Sequence, residues 1–249
     1  GRLVASQAAQ HLIPSIMELG GKSPNIVFED ANLDKAAAGV LGGFTAAAGQ
    51  SCICGSRALV QESIYDEIVA RLAADVPKLT LGDPTDPKTD IGPFCTADQL
   101  EKVKFFVEIG RKSNARLVVG GKQPVGLDGW FFEPTVFADV TNDMEIAQEE
   151  IFGPVLSVIS FKDEQDAIRI ANDTRYGLAA GIWTRDLAKA HRVAAEIRAG
   201  TIWINQYRRG DPAFPFGGFG ESGYGRQSGQ DALQDFTVLK SIQINVADD

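Results

Sequence analysis

Two cysteines stand one residue apart in the stretch Gly49-Gln50-Ser51-Cys52-Ile53-Cys54-Gly55-Ser56-Arg57. Thiols so placed can ligate a metal, form a redox pair, act as a nucleophile, or fill space as small buried hydrophobes. Structural zinc centres draw on paired C-x-x-C or histidine spacings, and this chain adds only Cys95, His11 and His191 to the soft ligands. No metal is expected. A thioredoxin-like pair opens a helix with C-x-x-C. One intervening residue in extended chain instead points both thiols the same way and too far apart to bond. A cysteine hydrolase needs a histidine base, but His191 lies in an Ala- and Arg-rich amphipathic run and His11 just ahead of a proline segment. Nucleophile and buried hydrophobe both stay open on these residues alone.

A second chemical group lies upstream, in Ser15-Ile16-Met17-Glu18-Leu19-Gly20-Gly21-Lys22. Glu18 falls inside an apolar run directly before two glycines. Desolvated in a cleft, such a carboxylate has its pKa raised toward neutrality, which suits a general base. Paired with Lys22 or exposed at a strand end, it is an ordinary surface acid.

Alternating strand-like and helix-like segments must position these groups, the mark of an α/β protein. SPNIVFED (23–30) reads as a strand, and DANLDKAAAGVLGGFTAAAG as a helix capped by Asp30 or Asn32. RALVQ is a strand, followed by a helix with Ile64, Ile68 and Leu72 on one side. Residues 81–93, rich in Pro, Asp and Gly, form a loop. Thr96 and Gln99 make a T-x-x-Q capping box for the next helix. ARLVVGG is a strand, and WFFEPTVFADV another that lies at an edge or begins after Pro134. VLSVISFK, GLAAGIWT and TIWIN are strands; DEQDAIRIAND and RDLAKAHRVAAEIRAG are helices, the second ended by Gly200. The glycine-rich PAFPFGGFGESGYGRQSG must bend sharply or approach something closely. FTVLKSIQINV (236–246) reads as a last strand with no partner in sequence, suited to pairing with another chain.

The 249 residues are 44% hydrophobic and 23% charged, enough for a proper core. A net charge of −9 argues against nucleic-acid and anionic-membrane partners. No apolar run reaches membrane-spanning length and no signal peptide is evident. Three cysteines are too few for a disulfide framework, which favours a reducing, cytoplasmic setting. The chain opens on Gly1 rather than Met, as an excerpt of a longer protein would.

Five motifs, in order, carry a family resemblance: MELGGKSPNIVFEDANLD, GQSCICGSR, EEIFGPV, NDTRYGLAAGIWTRD and PFGGFGESGYGRQSG. Together they resemble the aldehyde dehydrogenase superfamily, including its separation of 34 positions between glutamate and cysteine, here Glu18 and Cys52. The resemblance covers the C-terminal half of that family's usual chain. It implies an α/β fold with an open, twisted, mostly parallel sheet flanked by helices. Residues 1–20 would be a remnant of the dinucleotide-binding domain, 21–221 the catalytic domain and 222–249 a tail with an oligomerisation strand. The resemblance further implies oxidation of an aldehyde to an acid with NAD or NADP. Cys52 would be the nucleophile, more reactive than Cys95, and Glu18 the base that activates water. Glu150, Phe152 and Gln99 would lie at the cofactor, Asn205 behind the active site and Phe216 at the substrate tunnel. Assembly as a homodimer or homotetramer is implied as well. Cys54 would be a bystander.

Residue by residue, plainer readings remain beside these. Phe152 and Phe216 also suit a core, Glu150 a helix-start acid and Gln99 its capping box alone. Where the family's last motif has a lysine this chain has Gly220, and where it has a glutamate this chain has Gln227, which weakens any proton relay or interdomain ion pair there. Arg208 and Arg209 lie where the family varies its substrate loop and suit either an anionic substrate or solvent. A CoA-acylating semialdehyde dehydrogenase is a rival that retention of Glu18 disfavours. A non-catalytic assembly or ligand-binding protein is the other alternative, and without the cofactor half the chain alone would be inactive.

Overall fold

Short strands made almost wholly of apolar residues need cover on both faces, and the sheet of this protein is built from them. The computed structural model describes residues 1–246. In chain order the elements are α1 (Arg2–Gln10), β1 (Met17–Glu18), β2 (Pro24–Val27), α2 (Leu33–Thr45), β3 (Arg57–Gln61), α3 (Tyr65–Asp75), α4 (Ala97–Lys112), β4 (Arg116–Val119), β5 (Thr135–Ala138), α5 (Glu145–Gln148), β6 (Val155–Phe161), α6 (Glu164–Asn172), β7 (Ala179–Trp183), α7 (Leu187–Glu196), β8 (Thr201–Ile204), β9 (Gly223–Tyr224) and α8 (Ala232–Phe236). Seven strands form one sheet in the order β4-β5-β6-β3-β2-β7-β8. All neighbours run parallel except β4 against β5. β1 and β9 make a separate antiparallel pair.

Successive strand residues face opposite ways, and two cores result. Ile26, Leu59, Phe137 and Ile159 share one with Val103 of α4, Ile168 of α6 and Val193 of α7. Val27, Val60, Val136 and Val158 share the other with Val40 and Phe44 of α2 and Leu72 of α3. The expected α/β fold, a mostly parallel sheet flanked by helices, is what forms. Asn32, Thr96, Asp163 and Asp186 cap α2, α4, α6 and α7 by accepting the N–H three residues on, each worth about 1 kcal/mol. Among the described residues no helix is long and apolar enough to cross a membrane.

Three local expectations change, and one pair of alternatives is decided. The helix after β2 stops at Thr45, and Ala47 and Ala48 turn left-handed instead of continuing it. Of the two placements expected for the strand near Pro134 the second holds: β5 begins directly after the proline, between β4 and β6. α7 ends at Glu196 with Ile197 already extended, before Gly200 is reached. Gly200 serves packing: a Cβ there would collide with the carbonyl oxygen of Gly217. The segment 237–246 is irregular, with Val238 and Leu239 95% and 99% exposed. A strand needs a ladder partner, and neither sheet of the chain takes this one in. The expected tail domain runs on to residue 249, and its last three residues lie outside the described ones.

Candidate active site

Four segments remote in sequence meet where the parallel strands begin. Residues 49–56 lead into β3, Gly20 and Gly21 into β2, and Phe152–Pro154 into β6, while the glycine-rich segment through β9 folds onto β1. After α2 the chain turns through Ala47, Ala48 and Gly49 at φ 55°, 53° and 70°. Left-handed alanines cost about 1 kcal/mol or more each, so their surroundings must hold them. Gly49 shows the support, since a Cβ there would strike the carbonyl of Gly153. The cysteine loop therefore lies flat on the loop that carries Phe152.

The two cysteines separate in this geometry. Cys54 is buried, and its thiol donates to the Phe44 carbonyl at 3.7 Å. Burial pushes its pKa up to about 12, so it remains a protonated core residue. Cys52 is half-buried. Burial raises its pKa as well; the N–H groups of Ile53 and Cys52 oppose this, and the Glu150 and Glu18 carboxylates add to it. Any readiness of Cys52 to react therefore does not come from a depressed resting pKa. His11 and His191 are both exposed.

Glu18 is held by the β1–β9 pair, opposite Gly223. The Leu19 N–H donates to the Ser222 carbonyl. Ser222 is fully buried, and its hydroxyl donates to Gly20 O at 2.6 Å while accepting the Gly177 N–H at 3.0 Å. One Glu18 oxygen is buried with no hydrogen-bond partner among the described residues. Desolvation raises the Glu18 pKa and Arg226 opposes the shift, which makes the carboxylate a better base than an exposed one.

The double glycine is the hinge of the site. A Cβ on Gly21 would press into the Cys52 carbonyl oxygen, and one on Gly20 into the Glu150 carboxylate. The Gly21 N–H donates to Glu150 Oε1 at 3.0 Å. Burial raises the Glu150 pKa, while that N–H, Lys102, Lys22 and Arg175 oppose the shift. Phe152 is half-buried at φ 59°. Gln99 does not close a reciprocal capping box: Thr96 accepts its N–H, but its amide donates to the carbonyls of Ile151 and Phe152 at 2.9 and 2.7 Å. It fixes the Phe152 backbone from outside the loop.

Phe216 is half-buried and shares a cavity of about 950 Å³ with Ile53, the neighbour of Cys52. Asn205 is not brought to the cysteine. It follows β8, at the opposite end of the parallel sheet, where its amide exchanges hydrogen bonds with the Thr184 backbone at 2.9 and 3.1 Å.

Two buried cations escaped the sequence reading. Arg57 is wholly buried and donates to Lys22 O, Asn142 Oδ1, Ile170 O and Ala171 O at 2.9 to 3.0 Å. Lys22 is also buried, its ammonium without a hydrogen-bond partner among the described residues and its pKa lowered by burial to about 7. Charged residues at strand starts look like surface residues in sequence. The signal available was position, since Arg57 opens β3 and Lys22 lies two residues before β2, both strands of the central sheet.

The aldehyde dehydrogenase family model matches residues 1–242. The chain belongs to that family. It is 48% identical over 251 residues to a betaine aldehyde dehydrogenase of Mesorhizobium japonicum, covering 100% of this chain and 52% of the relative. A betaine aldehyde dehydrogenase of Rhizobium leguminosarum is 46% identical, with 99% and 51% covered. The solved NAD+ complex of an aldehyde dehydrogenase from Bacillus cereus superposes with a TM-score of 0.96 at 41% identity, over 99% of this chain and 50% of that one. This aldehyde dehydrogenase chain thus spans about half the length of the relatives it matches.

Proposed function

We propose that this chain is the catalytic portion of an NAD(P)-dependent aldehyde dehydrogenase that releases a carboxylic acid. The convergence of Cys52, Glu18 and Glu150 on Gly20 and Gly21 is the observation that carries this reading. Cys52 Sγ, once deprotonated, attacks the aldehyde carbon and forms a thiohemiacetal. The Cys52 N–H, which already faces its own sulfur, supports the developing oxyanion. Glu18 then draws a proton from the water that hydrolyses the Cys52 thioester.

The residues present suit the nicotinamide end of a dinucleotide. Glu150 offers a fixed carboxylate acceptor for ribose hydroxyls, and Phe152 an aromatic face beside it, its backbone held by Gln99. NAD(P)+, when bound, supplies the hydride acceptor that takes thiohemiacetal to thioester. Residues 1–20 belong in this reading with the dinucleotide-binding domain, 21–221 form the catalytic domain, and the exposed apolar tail joins subunits into a homodimer or homotetramer.

The test uses the enzyme carrying this chain at its natural length, with an aldehyde, NAD+ and no CoA. Cys52→Ser is expected to abolish turnover. Glu18→Gln is expected to leave a stoichiometric burst of NADH with acyl-enzyme detectable by intact mass. Turnover in Cys52→Ser, or absolute dependence on CoA, refutes the hydrolytic reading.

A further inference from the structure

An ion-pair network joins two sides of the site, and the reaction above does not use it. Glu149 stands directly before Glu150. The Arg175 guanidinium grips both Glu149 oxygens, Nη1 donating to Oε1 at 2.6 Å and Nη2 to Oε2 at 2.5 Å. Its Nε faces Glu221 Oε2 at 3.0 Å, and Arg2 of α1 pairs with Glu221 Oε1 at 2.6 Å. Exposed ion pairs are worth little singly, but a bidentate arginine shared between two carboxylates is the geometry in which they count. Arg175 holds the Glu149 carboxyl below its usual pKa range, so the pair stays charged at neutral pH.

The backbone under this network is stitched as closely. The Glu221 N–H donates to Arg175 O and the Phe219 N–H to Gly177 O, both at 2.9 Å. Gly220 permits the approach: it takes φ 60°, and a Cβ there would strike the Arg175 carbonyl oxygen. A lysine, which the family's last motif carries at this place, would bring such a Cβ, so the contact goes with the departure seen in the sequence. Ser222 follows in the same segment, its hydroxyl bonded to Gly20 O and the Gly177 N–H. A closed ring results. Glu150 rests on Gly20 and Gly21, Ser222 on Gly20, and Glu221 on Arg175. The Arg175–Glu149 pair and one peptide bond then lead back to Glu150.

We propose that Arg175 is a positioning residue for the cofactor: by closing this ring through Glu149, it fixes the Glu150 carboxylate on the Gly20–Gly21 turn, where the nicotinamide ribose is received. The inference rests on the dehydrogenase reading above and deepens it by adding a residue that acts through Glu149 rather than on the cofactor. Without the arginine, the loop keeps its Gln99 bonds to Ile151 and Phe152. It loses its tie to segment 219–222, and Glu149 becomes an unpaired negative charge beside Glu150. Both changes loosen the Gly21 N–H bond to Glu150, while the contact of Gly49 with Gly153 stays in place.

The enzyme carrying this chain, at its natural length, is titrated with NAD+ and assayed at saturating aldehyde. Arg175→Gln is expected to raise the NAD+ Kd and KM about 10-fold, less than the roughly 10²-fold cost of displacing a reacting group. Its kcat should change less than this, and its aldehyde KM not at all. Arg175→Lys keeps the charge without the fork and should recover part of the loss. Glu149→Gln breaks the same pair from its other end and should match Arg175→Gln, and the double variant should bind NAD+ no more weakly than either. Effects that multiply in the double variant, or an unchanged NAD+ KM in Arg175→Gln, overturn the proposal while leaving the dehydrogenase reading intact. Arg192→Gln breaks a like pair with Glu164, between α7 and α6, and should leave NAD+ affinity unchanged. If it matches Arg175→Gln, the loss is one of general stability and the proposal falls. If the wild-type enzyme oxidises no aldehyde, the dehydrogenase reading fails instead, and the ring is read by hydrogen exchange at the Gly21 amide. Faster exchange in Arg175→Gln than in wild type and Arg192→Gln supports the positioning role, and equal rates overturn it.

Discussion

Gly21→Ala is the most direct test of how the nucleophile loop is held. Gly21 does not occupy the left-handed region, so alanine fits its backbone and any effect comes from contact. The new Cβ would meet the Cys52 carbonyl oxygen far inside the 3.4 Å at which ordinary contact begins. That neighbour is backbone, not a flexible side-chain tip, and Gly49 against Gly153 limits retreat on the far side. Reaching contact distance means parting the two segments by about 1 Å, a displacement that costs on the order of 10²-fold in rate when it moves a reacting group. The overpacking itself should cost about 1–3 kcal/mol. Gly42→Ala is the matched control: Gly42 lies within α2 with nothing within 4 Å of its added methyl, and alanine there should stabilise by about 1 kcal/mol. Urea unfolding gives the stability change, and aldehyde turnover with the Cys52 alkylation rate gives the displacement. If Gly21→Ala matches Gly42→Ala in all three, the double glycine does not position Cys52.

Two further substitutions test the buried charges through pH. Glu18 has a folded-state pKa above its ordinary 4.5, so its stabilising protonation is present below that value and lost as pH rises through the raised one; Glu18→Gln should be more stable than wild type by thermal melting at pH 7, with the difference closing near pH 4. Lys22 has a folded-state pKa near 7 against an ordinary 10.5, so the unfolded chain binds the extra proton and wild-type stability rises with pH across that window. Lys22→Met should lack this rise and gain several kcal/mol at pH 7, and parallel pH profiles of the two proteins in urea would show that the lysine keeps its ordinary pKa and stays charged in both states.

The order of strands and helices was legible because apolar runs and capping residues act locally. Asn32, Thr96, Asp163 and Asp186 each announce a helix within three residues. What escaped was set by distant partners. The β1–β9 pair has only two residues per strand, too short for any periodicity, and exists because Gly223 admits the Met17 carbonyl. Gly200 looked like a helix stop but answers to Gly217, and Gln99 looked like a reciprocal cap but answers to residues 151 and 152. At the candidate site, the motif resemblance marked Cys52, Glu18 and Glu150, which do converge. It also marked Asn205, which the parallel sheet carries to its other end. Nothing in the sequence marked Lys22 as buried without a hydrogen-bond partner among the described residues, because exposure of a charged side chain is decided by the fold around it.

The thiol of Cys52 lies past the carbonyl end of α2, whereas helix-activated cysteines lie at the amino end. Burial and the Glu150 and Glu18 carboxylates favour the protonated form of its sulfur. Peroxide and other cellular oxidants react with thiolate, so the same placement gives the idle protein chemical durability. The residue on which the chemistry depends is shielded from oxidation between turnovers by the electrostatics that must be overcome for it to act.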